Sequence, residues 1–310
     1  MTMPPVVVGV DDSVDARSAV LWAAEEAMLA GTSLLVVHSP ALPLAAPAGH
    51  LGAALRASDD VGRSVLDSAT ALARARQPQL VVKSLLSHAD PIQALIDVSV
   101  EAQLLVLGAR TALTGDVSML SSRRVTVSAH AHCPVLLLGP VSTFSPPSMV
   151  SRIVVGAGTT RAGRAAVAFA AAEAARRDVP LHLLRLEPPA HPAQPASAEA
   201  PERRSQAEQE LAGEAAALRH ERPDLVVLAE RVCGEAVEVL PAYSDSSTIL
   251  VVGCHHSDDH WSTRLGPVAT SVVHRNRGPV VVVGHVWNQD GQSPDGRPAL
   301  PAYRLGLAQR

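Results

Sequence analysis

The sequence predicts an α/β protein built from two doubly wound parallel sheets in tandem, each of five strands in the order 3-2-1-4-5. Three observations predict it. Short apolar runs such as VVVGV from Val6, LLVV from Leu34 and LLVL from Leu104 alternate with stretches of helical period, and strands apolar on both faces belong to parallel sheets covered by helices on both sides. The stretch Leu104–Gly139 recurs as Ile249–Gly284, with Gly108 opposite Gly253, Leu120 opposite Leu265 and Pro134 opposite Pro279 at a constant offset of 145. The length, 310 residues, is that of about two domains of roughly 150 residues.

Val6–Val10 is a β-branched run bounded by Pro5 and Asp11, too short for a helix and so a buried strand. Ser13 caps the helix that follows, whose Ala16, Val20, Ala23, Ala24 and Ala27 share one face and which Gly31 ends. Leu34–Val37 is the second strand. A Pro/Ala/Gly-rich loop over 39–57 precedes a helix from about Asp60 to Arg76, and Leu80–Leu86 is the third strand. Asp90-Pro91 opens a helix as N-cap and N1 proline. Leu104–Leu107 is the fourth strand, a polar loop opened by Gly108 leads to a short helix from about Ser122, and Val135–Leu138 is the fifth strand.

The first domain spans 1–141. A linker over 142–150 contains Pro146-Pro147 and reads as partly extended. The second domain spans 151–285, with Ile153–Ala157 as its first strand, Arg164–Arg177 as its first helix and Leu181–Leu186 as its second strand. A polar insertion over 187–206 reads as mobile. Leu225–Arg231 is its third strand, and residues 286–310 show no period and read as an irregular tail.

Apolar residues make up 47% of the chain and aromatics 2%, so Val, Leu and Ala must fill the cores. A net charge of −4 without a Lys/Arg run argues against nucleic acid as a partner. The sole lysine, Lys83, sits in an apolar run, which leaves no lysine for a P-loop or a Schiff base. Three scattered cysteines, Cys133, Cys233 and Cys254, predict free thiols in a reducing compartment. The N-terminus lacks the charged and apolar regions of a signal peptide, and no apolar run reaches the roughly 18–20 residues that span a bilayer. The expectation is a cytoplasmic protein that does not engage a membrane.

In the order 3-2-1-4-5 the switch point lies between strands 1 and 4, which brings Asp11 and Gly108 to one crevice. Other constellations are weaker. Cys254-His255-His256 and His260 offer metal ligands without a structural-zinc spacing. His130, His132 and Cys133 read as a helix end with His near its negative pole. Neither a G-x-S-x-G elbow nor a defined Ser/His/Asp set nominates a catalytic residue.

With VVVGVDDS at the start, HSP after strand two, ADP before helix three and VLGAR…SS…CPVLLL at the end, the chain resembles the universal stress protein family in its tandem form. The resemblance implies the flavodoxin-like fold in its adenine nucleotide alpha hydrolase-like variant. Nucleotide-binding members carry Gly-x2-Gly-x9-Gly followed by Ser or Thr, and an acidic residue ending strand one. The positions implied for ATP or another adenine nucleotide, with magnesium as its companion ion, are Asp11, Val37, Gly108, Thr111, Ser121 and Ser122.

The first copy keeps Asp11, Gly108 and Ser122 but has Thr111 and Ser121 for two glycines. Two readings of Ser121-Ser122 stand side by side: a phosphate-holding helix start flanked by Arg123 and Arg124, and a plain N-cap with solvated arginines. The second copy has Gly158 at the acidic position, His256 for the middle glycine and Pro267 for the hydroxyl residue, with Asp258 and Asp259 in the loop. No ATP site is expected there, and Gly266-Pro267 reads as a loop end with proline in the first helical turn. The fifth strands, apolar and at a sheet edge, are expected to pair within the chain as a pseudo-dimer, with a homodimer as the further possibility. The function implied is a non-enzymatic stress regulator or protective factor with at most one nucleotide site, in the first domain; the rival is a ligand-free interaction protein.

Overall fold

The computed structural model describes residues 3–40, 51–109, 117–143, 145–189, 200–254 and 265–284. It contains two compact units that meet in sequence at Leu137/Leu138. The first holds β1 (Val6–Gly9), α1 (Val14–Leu29), β2 (Leu34–His38), α2 (Leu51–Arg76), β3 (Val82–Leu86), α3 (Pro91–Ser99), β4 (Leu104–Leu107), α4 (Val117–His130) and β5 (Val135–Leu137). The second holds β6 (Arg152–Gly156), α5 (Arg161–Arg177), β7 (Leu181–Glu187), α6 (Ala200–Glu221), β8 (Val227–Cys233), α7 (Ala236–Val239), β9 (Thr248–Cys254), α8 (Pro267–Arg275) and β10 (Val280–Gly284).

Every strand pairing within a unit is parallel. In the first, β1 pairs with both β2 and β4, β2 with β3, and β4 with β5. In the second, β6 pairs with β7 and β9, β7 with β8, and β9 with β10. The registers match: Val6 stands opposite Leu34 as Ile153 stands opposite Leu181.

Helix α1 shows why alanine serves where aromatics are scarce. Ala16, Ala19, Ala23, Ala24 and Ala27 are all buried, and their short side chains let the helix axis approach the sheet. Trp22 supplies the bulk at one position and Phe169 does so in α5, at 1% and 6% exposure. Ser13 accepts a hydrogen bond from the Ala16 N–H, and Thr160 from that of Gly163, so both helices have a hydroxyl N-cap. Asp90 caps α3, accepting from Ile92 and Gln93 ahead of the N1 proline. Where α1 ends, Gly31 has φ 64°, and Asp178 occupies the matching left-handed position after α5 at φ 54°.

One arginine near the end of α2 and one in α6 brace the third strands. Arg74 donates to the Val82 carbonyl and Arg219 to that of Val227. Each bond satisfies a carbonyl at the start of a strand that has no second neighbour within its unit.

Several boundaries differ from the sequence reading, three of them by more than a turn or in kind. Helix α2 starts at Leu51 rather than near Asp60, because Leu51–Asp59 contains no proline and is rich in Leu and Ala. The last seven residues of the stretch expected to be a mobile insertion, 200–206, are helical and open α6. The expected linker folds as two 3₁₀ turns, Pro140–Thr143 and Pro147–Met149, with Ser142, Pro147 and Val150 buried. The tail over 286–310 lies outside the described residues.

Glycine enters the left-handed conformation without the Cβ clash that other residues meet, and Asp meets it in part. Replacing Asp178 by Gly is therefore expected to raise stability by about 0.5–1 kcal/mol. A urea titration followed by circular dichroism checks it; no rise in midpoint would mean that Asp178 is not strained.

Candidate functional site

The carboxyl ends of β1, β2 and β4 lie side by side, with Gly9 in register with both Val37 and Leu107. The residues that leave these strands therefore share the crevice at the switch point. Asp11 is exposed there, and its Oδ1 accepts a hydrogen bond from the Ser13 N–H at 3.0 Å. This local turn fixes the carboxylate at the entry to α1. Val37 is 2% exposed, and its carbonyl accepts from the Val10 N–H at 2.9 Å, so it braces the floor of the strand ends.

His38, the next residue, is half-buried and was not among the positions expected from sequence. Its Nδ1 lies 2.8 Å from the Val10 carbonyl oxygen. A carbonyl only accepts, so Nδ1 carries the proton and the ring is locked to β1. The HSP triplet after strand two held this residue, yet nothing in the triplet shows which partner the ring reaches.

Gly108 has a packing role. A Cβ on it would lie 2.8 Å from the carbonyl oxygen of Asp15. The first turn of α1 thus rests directly on the end of β4. Gly253 repeats this in the second unit, where a Cβ would lie 2.6 Å from the Ala162 carbonyl.

The reading of Ser121-Ser122 as a helix start is corrected. Helix α4 begins at Val117, which puts the two serines in its second turn. Only the first four amides of a helix are free, so the backbone donors of Ser121 and Ser122 are used within the helix. A hydroxyl pair signals an N-cap when the chain before it is non-helical, and Val117–Leu120 holds no glycine or proline to stop the helix. The free amides belong instead to residues 117–120. Thr111 and the side chains of Ser121 and Ser122 lie outside the described residues. The structure thus assembles Asp11, Val37 and Gly108 but does not add the serine amides to them.

The corresponding place in the second unit lacks the carboxylate. Gly158 stands where Asp11 does, and a Cβ on Gly163 would lie 2.4 Å from the Gly158 carbonyl oxygen. Gly266 is the N-cap of α8 and Pro267 its first residue, as the sequence indicated. His256, Asp258, Asp259 and His260 lie outside the described residues. Among the described residues no group of three or more His, Cys, Asp or Glu is placed to hold a metal ion. His130 ends α4, with Nδ1 2.8 Å from the Thr126 carbonyl oxygen, which is the helix-end role expected of it. Burial pushes the Cys133 thiol up to about 12 and the Cys254 thiol up to about 11.

The model of the universal stress protein family matches the chain twice, over residues 3–139 and 149–284. A universal stress protein of Mycobacterium tuberculosis is 29% identical over 286 residues, spanning 89% of this chain and 95% of the relative. A second from the same species is 29% identical over 290 residues, spanning 89% and 96%. Among solved structures, a universal stress protein from Archaeoglobus fulgidus superimposes with a TM-score of 0.66 at 15% identity, covering 91% of this chain and 97% of that one, which shows a shared fold. No helix among the described residues is long and apolar enough to cross a membrane.

Two measurements follow from this geometry. Gly108→Val should destabilise the chain by about 1–3 kcal/mol, because the added side chain must displace the Asp15 backbone; an unchanged urea midpoint would refute the contact. Alkylation of the native protein near neutral pH should label Cys233, which is exposed, and spare Cys133 and Cys254 until the protein unfolds. Thiols react as thiolates and those two stay protonated. Peptide mass spectrometry reads the result, and rapid labelling of Cys133 would contradict its burial.

Proposed function

The chain belongs to the universal stress protein family, and on that premise we propose that it is a cytoplasmic, non-enzymatic regulator or protective factor of the stress response, holding at most one adenine nucleotide, in its first unit. The observation that carries the proposal is the difference between Asp11 and Gly158. The first unit presents a carboxylate at the mouth of the β1/β4 crevice, fixed by the Ser13 N–H. The second has no side chain there and packs the loop against Gly163.

The residues present fit a nucleoside. An ionised carboxylate accepts hydrogen bonds from ribose hydroxyls, and Asp11 has the second oxygen with which to do it. The phosphates would run toward the start of α4, where free amides and the helix dipole favour an anion. The nucleotide itself would supply a charge and shape by which partner proteins distinguish the loaded chain from the empty one.

A second reading, a ligand-free interaction protein, draws support from the same loop. Two glycines of the family pattern are Thr111 and Ser121 here, and the serine amides are spent inside α4.

Calorimetry of the full chain with ATP, ADP, AMP and a cyclic nucleotide, with and without magnesium, separates the two. The proposal expects one saturable site that Asp11→Ala weakens by about tenfold or more, roughly 1.4 kcal/mol. Absence of heat and of any thermal shift at millimolar nucleotide would leave the interaction protein standing. Phosphate released above a no-protein control would overturn the non-enzymatic assignment.

A further inference from the structure

The first unit has a cavity of about 250 Å³ between α1 and α2, closed at one end by the loop that leaves β1. It is separate from the β1/β4 crevice, since neither Val37 nor Gly108 lines it. Its apolar wall includes Val20, Val65, Ala69 and Leu72, and its rim carries Asp11, Asp12 and Arg17.

The second unit carries a charged cluster at the corresponding place. The bonds from Arg74 to Val82 and from Arg219 to Val227 fix the correspondence of α2 with α6. They set Glu210 and Glu214 opposite Val65 and Ala69. The matched strand registers set Arg164 opposite Arg17 and Arg185 opposite His38. There Arg185 lies 3.8 Å from Glu210 and 3.8 Å from Glu214, while Arg164 donates to the Thr159 carbonyl. Burial raises the Glu214 pKa against the opposing pull of Arg185 and Arg164, while Glu210 stays exposed to solvent.

In the first unit the acids of the second helix are apolar residues. Asp12 and Arg17 are exposed and have no hydrogen-bond or ion-pair partner among the described residues. The rim holds two carboxylates and one guanidinium, which favours a cation, and the wall behind it favours a hydrocarbon. At ~30 Å³ per water the cavity equals about eight water volumes, room for a body of about eight to ten non-hydrogen atoms.

We propose that the α1/α2 cavity of the first unit binds a small molecule with an apolar body and an ammonium head, the head held by Asp11 and Asp12. A free amine and an apolar amino acid share this chemistry. They differ in whether Arg17 is met by a carboxylate. The proposal stands apart from the nucleotide reading, because only Asp11 belongs to both places.

Titration calorimetry of the full chain with phenethylamine, with phenylalanine and with phenethyl alcohol tests it. One saturable site is expected for the amine or the amino acid, and none for the neutral alcohol. Tighter binding of phenylalanine that Arg17→Ala removes would identify an amino acid; tighter binding of phenethylamine would identify a free amine. Asp12→Asn, an exposed change that leaves the fold intact, should weaken binding by about tenfold. Ser68→Phe, from an exposed position on the cavity wall, should abolish it while leaving any nucleotide heat unchanged. No saturable heat for either charged probe up to ~10 mM, where even a weak site would show, overturns the proposal. So does equal binding of the alcohol, or binding that survives Ser68→Phe.

Discussion

The contact on which both units depend is one between backbones. The glycine that follows the fourth strand of each unit, Gly108 or Gly253, lies so close to a carbonyl in the first turn of the unit's first long helix that no side chain fits between them. Because that helix also starts directly after the neighbouring strand, this contact fixes the angle at which α1 leaves β1 and α5 leaves β6. The position of Asp11, the turn it makes with Ser13 and the line of the crevice all follow from it. A leading glycine in such a loop is easily read as making room for a phosphate. In this chain its first task is to make room for a helix.

On that common scaffold the two copies have diverged in chemistry. A carboxylate ends β1 where Gly158 follows β6, and an alanine that leaves space in α1 is matched by Gly163, pressed on its own loop. An apolar wall on α2 is matched by glutamates on α6 that reach Arg185. The second unit thus sets acids of its second long helix near an arginine of its second strand, where the first leaves Asp12 and Arg17 to solvent. Once a gene segment is doubled, one copy can leave its charged groups unpaired while the other sets opposite charges near one another, because the sheet and the helix-to-strand glycine contact hold in either case. Arg74 and Arg219 illustrate the part that did not change: both brace the strand that lacks a second neighbour within its unit.

Much of the fold was legible in the residues. The strands read directly from runs such as VVVGV and LLVL, the face of α1 from its alanines, and the caps at Ser13 and Asp90 from side chains that bond within three residues of themselves. The start of α4 was not legible, because Ser121-Ser122 is a cap signal in isolation and the helix that absorbs it is continued from Val117. His38 was visible as part of a motif, but its lock onto the Val10 carbonyl depends on two strands 28 residues apart meeting in register.

The sequence by itself determined the duplication, the strand and helix order, the acid at position 11 and its loss at 158, since these rest on period, local capping and residue identity. Tertiary structure alone decided which groups face each other: that Gly108 packs on Asp15, that Val37 is floor and not mouth, and that Val65 and Ala69 wall a cavity where Glu210 and Glu214 reach toward Arg185. The physical reason is range. Propensity and capping act within a few residues, whereas packing, ion pairing and the shape of a crevice arise between segments that only the folded sheet brings together.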